Sequence, residues 1–488
     1  MRLPTHAAAA ARPDPTRNHP RESSALPPPH SERAGGVGIG RAPHAPRGGR
    51  PGWLLGAGLA CGAAFVLARA PLARADAGAA PATLTVDGAV QLAIQSSPRL
   101  AAARERQRGR AESTTSAGRR MLPTVHVSEE FQIFDSPFVI NLGMPITARN
   151  QVANTFVASA DQPVLGLLHL ERDREAQVAA TEAGDAQVAA SIADLRADLE
   201  TQFLRFFEAR AMKQIAEESQ RELADQVQVA QARLTSGVNT RADVLRIEVA
   251  AANARQQALQ AESQALGARA RIVADIGIPA ADASQLTLVE PRELLTTARN
   301  PARPFAVAMD EARLRRPELI AQRHLDRAAE RQAGARGFAL LPEIDLEAAY
   351  TRIDGQILAP PNSAFVGVKA EWAIWEWGAS LAQHRAAVAE AAATRHDGEA
   401  LERAIEADLE NTLAQGDAAR GAVDAAESAI TSAEEAFRVT EVQVKAGTAT
   451  TTDLLQAEAS LTEARLNLTR AQYEMAQVAV LLRRATGG

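Results

Sequence analysis

Two periods divide the chain. One is helical: Leu245, Ala252, Leu259, Leu266 and Val273 recur at strict sevens, and so do Leu454, Leu461, Leu468, Met475 and Leu482. That is coiled-coil spacing, and it predicts two apolar seams used for packing. Ahead of the first seam, residues 169–235 contain no proline and almost no glycine. At a rise of about 1.5 Å per residue they form a rod on the order of 100 Å long, which must pack against others. The other period is two. Residues 343–353 put Ile344, Leu346, Ala348 and Tyr350 on one face and Glu343, Asp345, Glu347 and Thr351 on the other. Residues 364–374 oppose Val366, Val368, Ala370, Trp372 and Ile374 to Phe365, Lys369 and Glu371. In the first half Val125, Val127, Phe131 and Ile133 alternate with His126, Ser128, Glu130 and Gln132, with Glu129 interrupting the apolar set. A weaker strand follows near 154–162, and residues 135–153 and 354–363 read as exposed loops. Strands of about ten residues, apolar on one side only, suit a membrane β-barrel; a small soluble sheet has the same alternation.

The chain repeats itself. S-G-V-N-T-R-A-D-V-L-R-I-E from Ser236 returns as A-G-T-A-T-T-T-D-L-L-Q-A-E from Ala446, with Gly237/Gly447, Asp243/Asp453, Leu245/Leu455 and Glu248/Glu458 all 210 apart. Gly237 and Gly447 suit the left-handed position after a helix, and Thr240 and Thr450 suit the next N-cap, with an aspartate three residues on. Each copy reads as the tip of an αα-hairpin, near 236–240 and 446–450. Helix openings recur too. Residues 86–100 begin a helix running to Arg120, and residues 310–319 begin its counterpart; Pro98/Pro317 and Pro123/Pro342 are both 219 apart. The expected organisation is a leader at 1–75, a first repeat at 76–300 and a second at 301–488.

Composition narrows the class. Residues 1–75 hold ten Arg against three acids, a net of +7, so the −6 of the whole chain leaves −13 for the remainder. An acidic body argues against nucleic acid as a partner. The apolar run 53–67 followed by Ala73-Arg74-Ala75 reads as a secretory signal cleaved before Asp76, behind either an extended leader or a start codon downstream of Met1. Cys61, the single cysteine, lies inside that run, so the mature chain has no disulfide. A lipidated cysteine after Gly58-Leu59-Ala60 is the competing reading. His126, His169, His324, His384 and His396 show no metal-ligand spacing, and neither a nucleophile elbow nor a P-loop occurs. Nothing suggests an enzyme, a metal or a cofactor.

The paired S-P-R-L and R-P-E-L openings, paired Leu-Pro helix ends, two strand pairs and two G-x-x-T-x-x-D tips together resemble the TolC-like outer-membrane efflux protein family from Val86 to Arg484. The resemblance implies a mainly α chain with a membrane β-barrel: a homotrimer in which each protomer gives four strands to one twelve-stranded barrel, continued by an α-helical periplasmic tunnel. It also implies a passive exit duct in the outer membrane for a tripartite efflux pump or type I secretion system, joined to a periplasmic adaptor and an inner-membrane pump of the RND or ABC type. Four strands cannot close around a lumen, and an open edge cannot face lipid, so other protomers must supply the rest. A periplasmic adaptor, which needs only one hairpin, and a soluble coiled-coil scaffold are the alternatives.

On this reading Ile344, Leu346, Tyr350, Val366, Val368 and Trp372 face lipid, with Trp372, Trp375 and Trp377 as an interfacial belt. Glu130, Asp345, Glu347, Lys369 and Glu371 face the lumen. The tips Gly237-Val238 and Gly447-Thr448 dock the adaptor. Asp453 matches a position where the family places an aspartate ring at the periplasmic aperture; Gln456 stands where a second acidic ring often lies. Ala449 replaces an arginine that in some members links to the aspartate matching Asp243, which leaves packing or Arg241 to hold the aperture. Asp243 and Asp453, third in their helices, are also simply caps.

Overall fold

The computed structural model describes residues 83–279, 286–299 and 303–488. The leader, the processing site and Cys61 lie outside the described residues. Strand β1 (Thr83–Leu84) precedes α1 (Val86–Ser96) and α2 (Pro98–Arg119). The single helix expected from residue 86 to Arg120 is therefore two. Pro98 pushes the residue before it out of the helical region, and Ser97 is extended at ψ 122°. The second half repeats the break: α6 (Phe305–Arg315) stops at Arg316, ψ 118°, and α7 starts on Pro317 and ends at Phe338. Proline at the first helical position has no N–H to leave unpaired, and α2 and α7 are both 22 residues long.

Five strands form one antiparallel sheet: β2 (Thr124–Ile133), β3 (Phe138–Asn141), β4 (Pro145–Pro163), β6 (Glu343–Gln356) and β7 (Asn362–Glu371). The path is β2-β4-β6-β7, with β3 pairing β4 only. The expected loop 135–153 is thus largely strand, and β4 begins at Pro145 rather than near 154. Its first half, P-I-T-A-R-N-Q, is too polar to alternate visibly, and its register against β6 slips between Arg149 and Asn154. Strand β7 ends at Glu371, so Trp372 lies just past it.

Helix α3 (Leu167–Thr235) runs 69 residues and turns through the first tip into α4 (Arg241–Ile276). After β5 (Thr287–Leu288), which pairs in parallel with β1, and the short α5 (Arg292–Thr297), the second half yields α8 (Ala379–Lys445, 67 residues) and α9 (Thr451–Ala485). Helix α3 packs on α4, α3 on α9 and α9 on α8, so these four lie in a row with α4 and α8 at its edges. The largest apolar cluster joins Leu199, Phe203 and Leu204 of α3, Ile272 and Ile276 of α4, and Ala476 and Val480 of α9 around β1 and α1. Among the described residues no helix is long and apolar enough to cross a membrane.

One expected seam is in place and the other is not. Leu461 and Met475 are buried, and Leu468 and Leu482 pack against buried clusters. On α4, however, Leu245, Leu259 and Leu266 are 49%, 58% and 61% exposed. The residues of α4 that meet α3 are Ile247, Ala254, Ala258, Ala261, Ala265 and Ala268, a heptad pattern shifted off the leucines. Alanine wins this contact because two long helices approach most closely through small side chains.

Candidate functional site

The sheet aligns its four main strands so that like faces like. Val125 pairs Ala160, Ala160 pairs Ala348 and Ala348 pairs Val366, one apolar row across all four. The next is Val127, Ala158, Tyr350 and Ala364. Leu346 pairs Val368, and Ile344 pairs Ala370. The opposite face carries Thr124, Asp161, Glu347 and Gly367 in one row, and Asp345 pairs Lys369. Lys369 Nζ reaches Glu371 at 2.9 Å, and Glu130 pairs Thr155 on the same face. Both faces are open in the single chain, with Val366 77% and Val368 71% exposed. Glu129, on the apolar face, accepts from Asn154 Nδ2 at 3.0 Å. Trp375 and Trp377 meet edge to face at 5.5 Å and are largely exposed, as is Trp372.

Both tips are built alike. After α3, Gly237 N–H donates to the Leu234 carbonyl (3.0 Å) and Val238 N–H to the Arg233 carbonyl (2.9 Å); after α8, Gly447 and Thr448 do the same to Val444 and Gln443. Gly237 and Gly447 both have φ +75°, which any side chain would strain. The next helix opens on a reciprocal cap. Asp243 Oδ2 accepts from Thr240 N–H (2.9 Å) and Thr240 Oγ1 (2.7 Å), while Asp243 N–H donates to Thr240 Oγ1 (3.2 Å). Asp453 does the same with Thr450 at 2.8, 2.6 and 3.2 Å. The threonine hydroxyl, then the backbone N–H, hold both carboxyls below the usual aspartate range.

Arg241 and Gln456 are exposed, and Arg241 has no partner among the described residues. Arg246 links the hairpins beside the tips: its Nη1 donates to Thr452 Oγ1 (3.1 Å) and lies 3.8 Å from Asp243. Sequence reading missed it, although its spacing of three from Asp243 was a usable sign. Also missed was Glu458, buried where α9 meets α3; its counterpart by the repeat, Glu248, is exposed. Among the described residues no group of His, Cys, Asp and Glu is placed to hold a metal ion.

A sheet with one apolar face is joined here to helices of 69 and 67 residues, neither of them apolar enough to cross a membrane. The family model "Outer membrane efflux protein" matches residues 89–277 and 308–488, and the chain belongs to that family. It is a TolC-like outer-membrane efflux channel. The outer membrane efflux protein BepC of Brucella suis is 26% identical over 317 residues, 62% of this chain and 67% of that one. The outer membrane protein VceC of Vibrio cholerae has a TM-score of 0.73 at 15% identity, covering 83% of this chain and 96% of that one. The CmeC outer membrane channel of Campylobacter jejuni has a TM-score of 0.71 at 14% identity, covering 82% and 85%.

Proposed function

We propose that three copies of this chain close one twelve-stranded barrel and act as the passive exit duct of a tripartite efflux pump or a type I secretion system. The observation that carries this reading is the strand path itself: β2 and β7 are both left with an open edge, while the face between them is apolar along whole rows. Edges of that kind are not tolerated in lipid, and joining β7 of one copy to β2 of the next removes all of them. The same ring brings α8 of one copy beside α4 of the next, so the exposed leucines of α4 gain a partner. Ile344, Leu346, Tyr350, Val366, Val368 and Trp372 then meet lipid, and Glu130, Asp345, Glu347, Lys369 and Glu371 line a wet lumen. The tips at Gly237-Val238 and Gly447-Thr448 form the distal end, where a periplasmic adaptor docks between this duct and an inner-membrane pump. Asp453 stands at the aperture, and Arg246 tethers the two hairpins there.

Heat-modifiable mobility tests the barrel. The purified chain should run as a trimer in detergent without heating and as a monomer after it. Val366→Arg should cost about 2 to 4 kcal/mol of barrel stability if it lies near mid-bilayer, whereas Lys369→Glu should be tolerated. Equal tolerance at both positions, with no trimer, would return the sheet to the soluble class.

A further inference from the structure

Glu458 is 2% exposed, on the seam where α9 lies against α3. Its Oε2 accepts from Gln226 Nε2 at 2.8 Å, and its Oε1 accepts from Ser219 Oγ at 3.5 Å. Ser219 and Gln226 are seven apart on α3 and share one face, with the buried Leu223 between them. Among the described residues no cation compensates the carboxyl. On α3, among Glu218, Arg221, Glu222 and Asp225, it is Glu222 whose charge bears on it, and that charge is negative. On α4, Arg246 is committed to Asp243 and Thr452. On α8, Arg438 pairs Glu435 at 2.6 Å and Lys445 pairs Glu441 at 2.6 Å. On α9 itself Asp453 is held by Thr450.

A second feature of the same pocket points the same way. Gln226 Oε1 is buried and has no donor. An ionised Glu458 carries acceptors only and leaves that oxygen unsatisfied, at the cost of an unpaired buried polar group. A neutral Glu458 carries the missing O–H. Carboxylic acid and carboxamide then complement one another, the amide N–H donating to one acid oxygen and the acid O–H to the amide oxygen.

We propose that Glu458 is a proton-operated latch: neutral, it closes an acid–amide pair with Gln226 that holds α9 against α3 beside the tips, and its ionisation weakens that seam. Burial, opposed by the Gln226 hydrogen bond and helped by Glu222, pushes the carboxyl up from 4.5 to about 7. The sign follows. A carboxyl raised on folding contributes fully below its unfolded value and loses that contribution as pH rises through the folded one. The seam is therefore tightest in acid, loses stability as pH rises from about 4.5 through about 7, and is loosest above neutrality, freeing the α8–α9 hairpin from the α3–α4 hairpin at the periplasmic end. The latch rests on packing within one chain; only its effect on conduction rests on the proposed duct.

Hydrogen exchange of the α9 amides around residues 454–465, in the purified full chain and corrected for the intrinsic pH dependence, reads the latch without reference to transport. Between pH 5.5 and 8.5 the wild-type protection should fall on the order of tenfold or more. Glu458→Gln, which has the same shape and a permanent N–H for Gln226, should keep its protection at both pH values. Gln226→Met should already be less protected than wild type at pH 5.5. The same pH dependence in wild type and Glu458→Gln, or wild-type protection in Gln226→Met at pH 5.5, would overturn the latch. A loss of protection confirmed by exchange but absent from bilayer conductance would count against the duct and leave the latch standing.

Discussion

Helices α4 and α9 are the same element twice. Each follows a glycine tip, opens on a threonine–aspartate cap and carries an apolar residue every seventh position, yet their leucines meet different surroundings. Leu461, Leu468 and Leu482 of α9 are buried or packed against buried clusters, and Leu245, Leu259 and Leu266 of α4 stand in solvent. Glu458 is enclosed while Glu248 is exposed. The difference is one of place and of phase: by the 210-residue repeat Leu245, Leu259 and Leu266 match Leu455, Thr469 and Ala476, so the two sevens run one residue out of register. Helix α9 has α3 on one side and α8 on the other, whereas α4 ends the row. A heptad states that a helix has a partner, and only the order of neighbours says whether that partner belongs to the same chain.

Truncation should separate the two helices most strongly. Leu461→Ala on α9 opens a cavity against buried neighbours and should cost about 2 to 5 kcal/mol. The same truncation at an exposed seventh position of the other helix, Leu259→Ala, should stay within about 0.5 kcal/mol in a dissociated chain, as exposed substitutions do. Denaturation in detergent under dissociating conditions compares them. A loss at Leu259 as large as at Leu461 would show that α4 is covered within its own chain.

Arg484, near the end of α9, supplies the next contrast. Its guanidinium is 12% exposed, donates to Asp194 of α3 at 2.8 Å, and pairs with Glu318 of α7. Removing it takes the nearest cation from two partly buried carboxylates and leaves Asp194 with Arg99 at 3.9 Å and Glu318 with Arg316 at 3.4 Å. Since Asp194 is 41% and Glu318 27% exposed, solvent recovers part of the loss, and Arg484→Met should cost about 1 to 3 kcal/mol. Burial opposes ionisation, but the Arg484 hydrogen bond and charge hold Glu318 below its usual carboxylate range, so the penalty should shrink as pH falls through that range, which a thermal series from pH 4 to 8 would detect.

Assembly comes third. Leu259→Glu combined with Leu266→Glu leaves the α3–α4 contact intact, since that contact runs through Ile247, Ala254, Ala258 and Ala261. Circular dichroism of the chain should not change, while detergent-resistant oligomers should be lost. Oligomers that survive both charges would mean that the α4 stripe is not the surface joined to a second copy.

The helical repeat and the tips were legible in the sequence because they rest on local chemistry: Gly237 and Gly447 at positive φ, and a threonine three residues before each aspartate. The β6 and β7 strands were legible because one face is continuously apolar, and β2 because Glu129 alone breaks its apolar face. What was not legible depended on neighbours. The leucines of α4 follow the same spacing as those of α9, and nothing in the spacing says that Ala254 and Ala261 take the contact instead. Strand β4 hid its first half because Thr147, Arg149 and Gln151 give no apolar alternation. Arg246 and Glu458 emerged only when their partners, Thr452 and Gln226, more than 200 positions away in sequence, were brought beside them.

The smallest expected effect lies at the tips, where α4 and α9 begin in the same way. Asp243 and Asp453 are both caps, and their lowered carboxyls work in one direction: the stabilisation is present above the ordinary aspartate value of 3.8 and is lost as pH falls through the folded one. As caps they are equivalent, so Asp243→Asn and Asp453→Asn should weaken the first turns of their helices to the same small extent. Their surroundings differ, however, because Arg246 lies 3.8 Å from Asp243 and donates to Thr452, beside Asp453, while no cation meets Asp453 itself. If Asp453 contributes to a ring on the axis of a trimer, three unneutralised carboxylates share a narrow aperture and favour cations. Asp453→Asn should then reduce cation selectivity and block by multivalent cations in a planar bilayer, and Asp243→Asn should leave both unchanged. Equal conductance changes in the two variants, or none in either, would reduce Asp453 to a cap and nothing more.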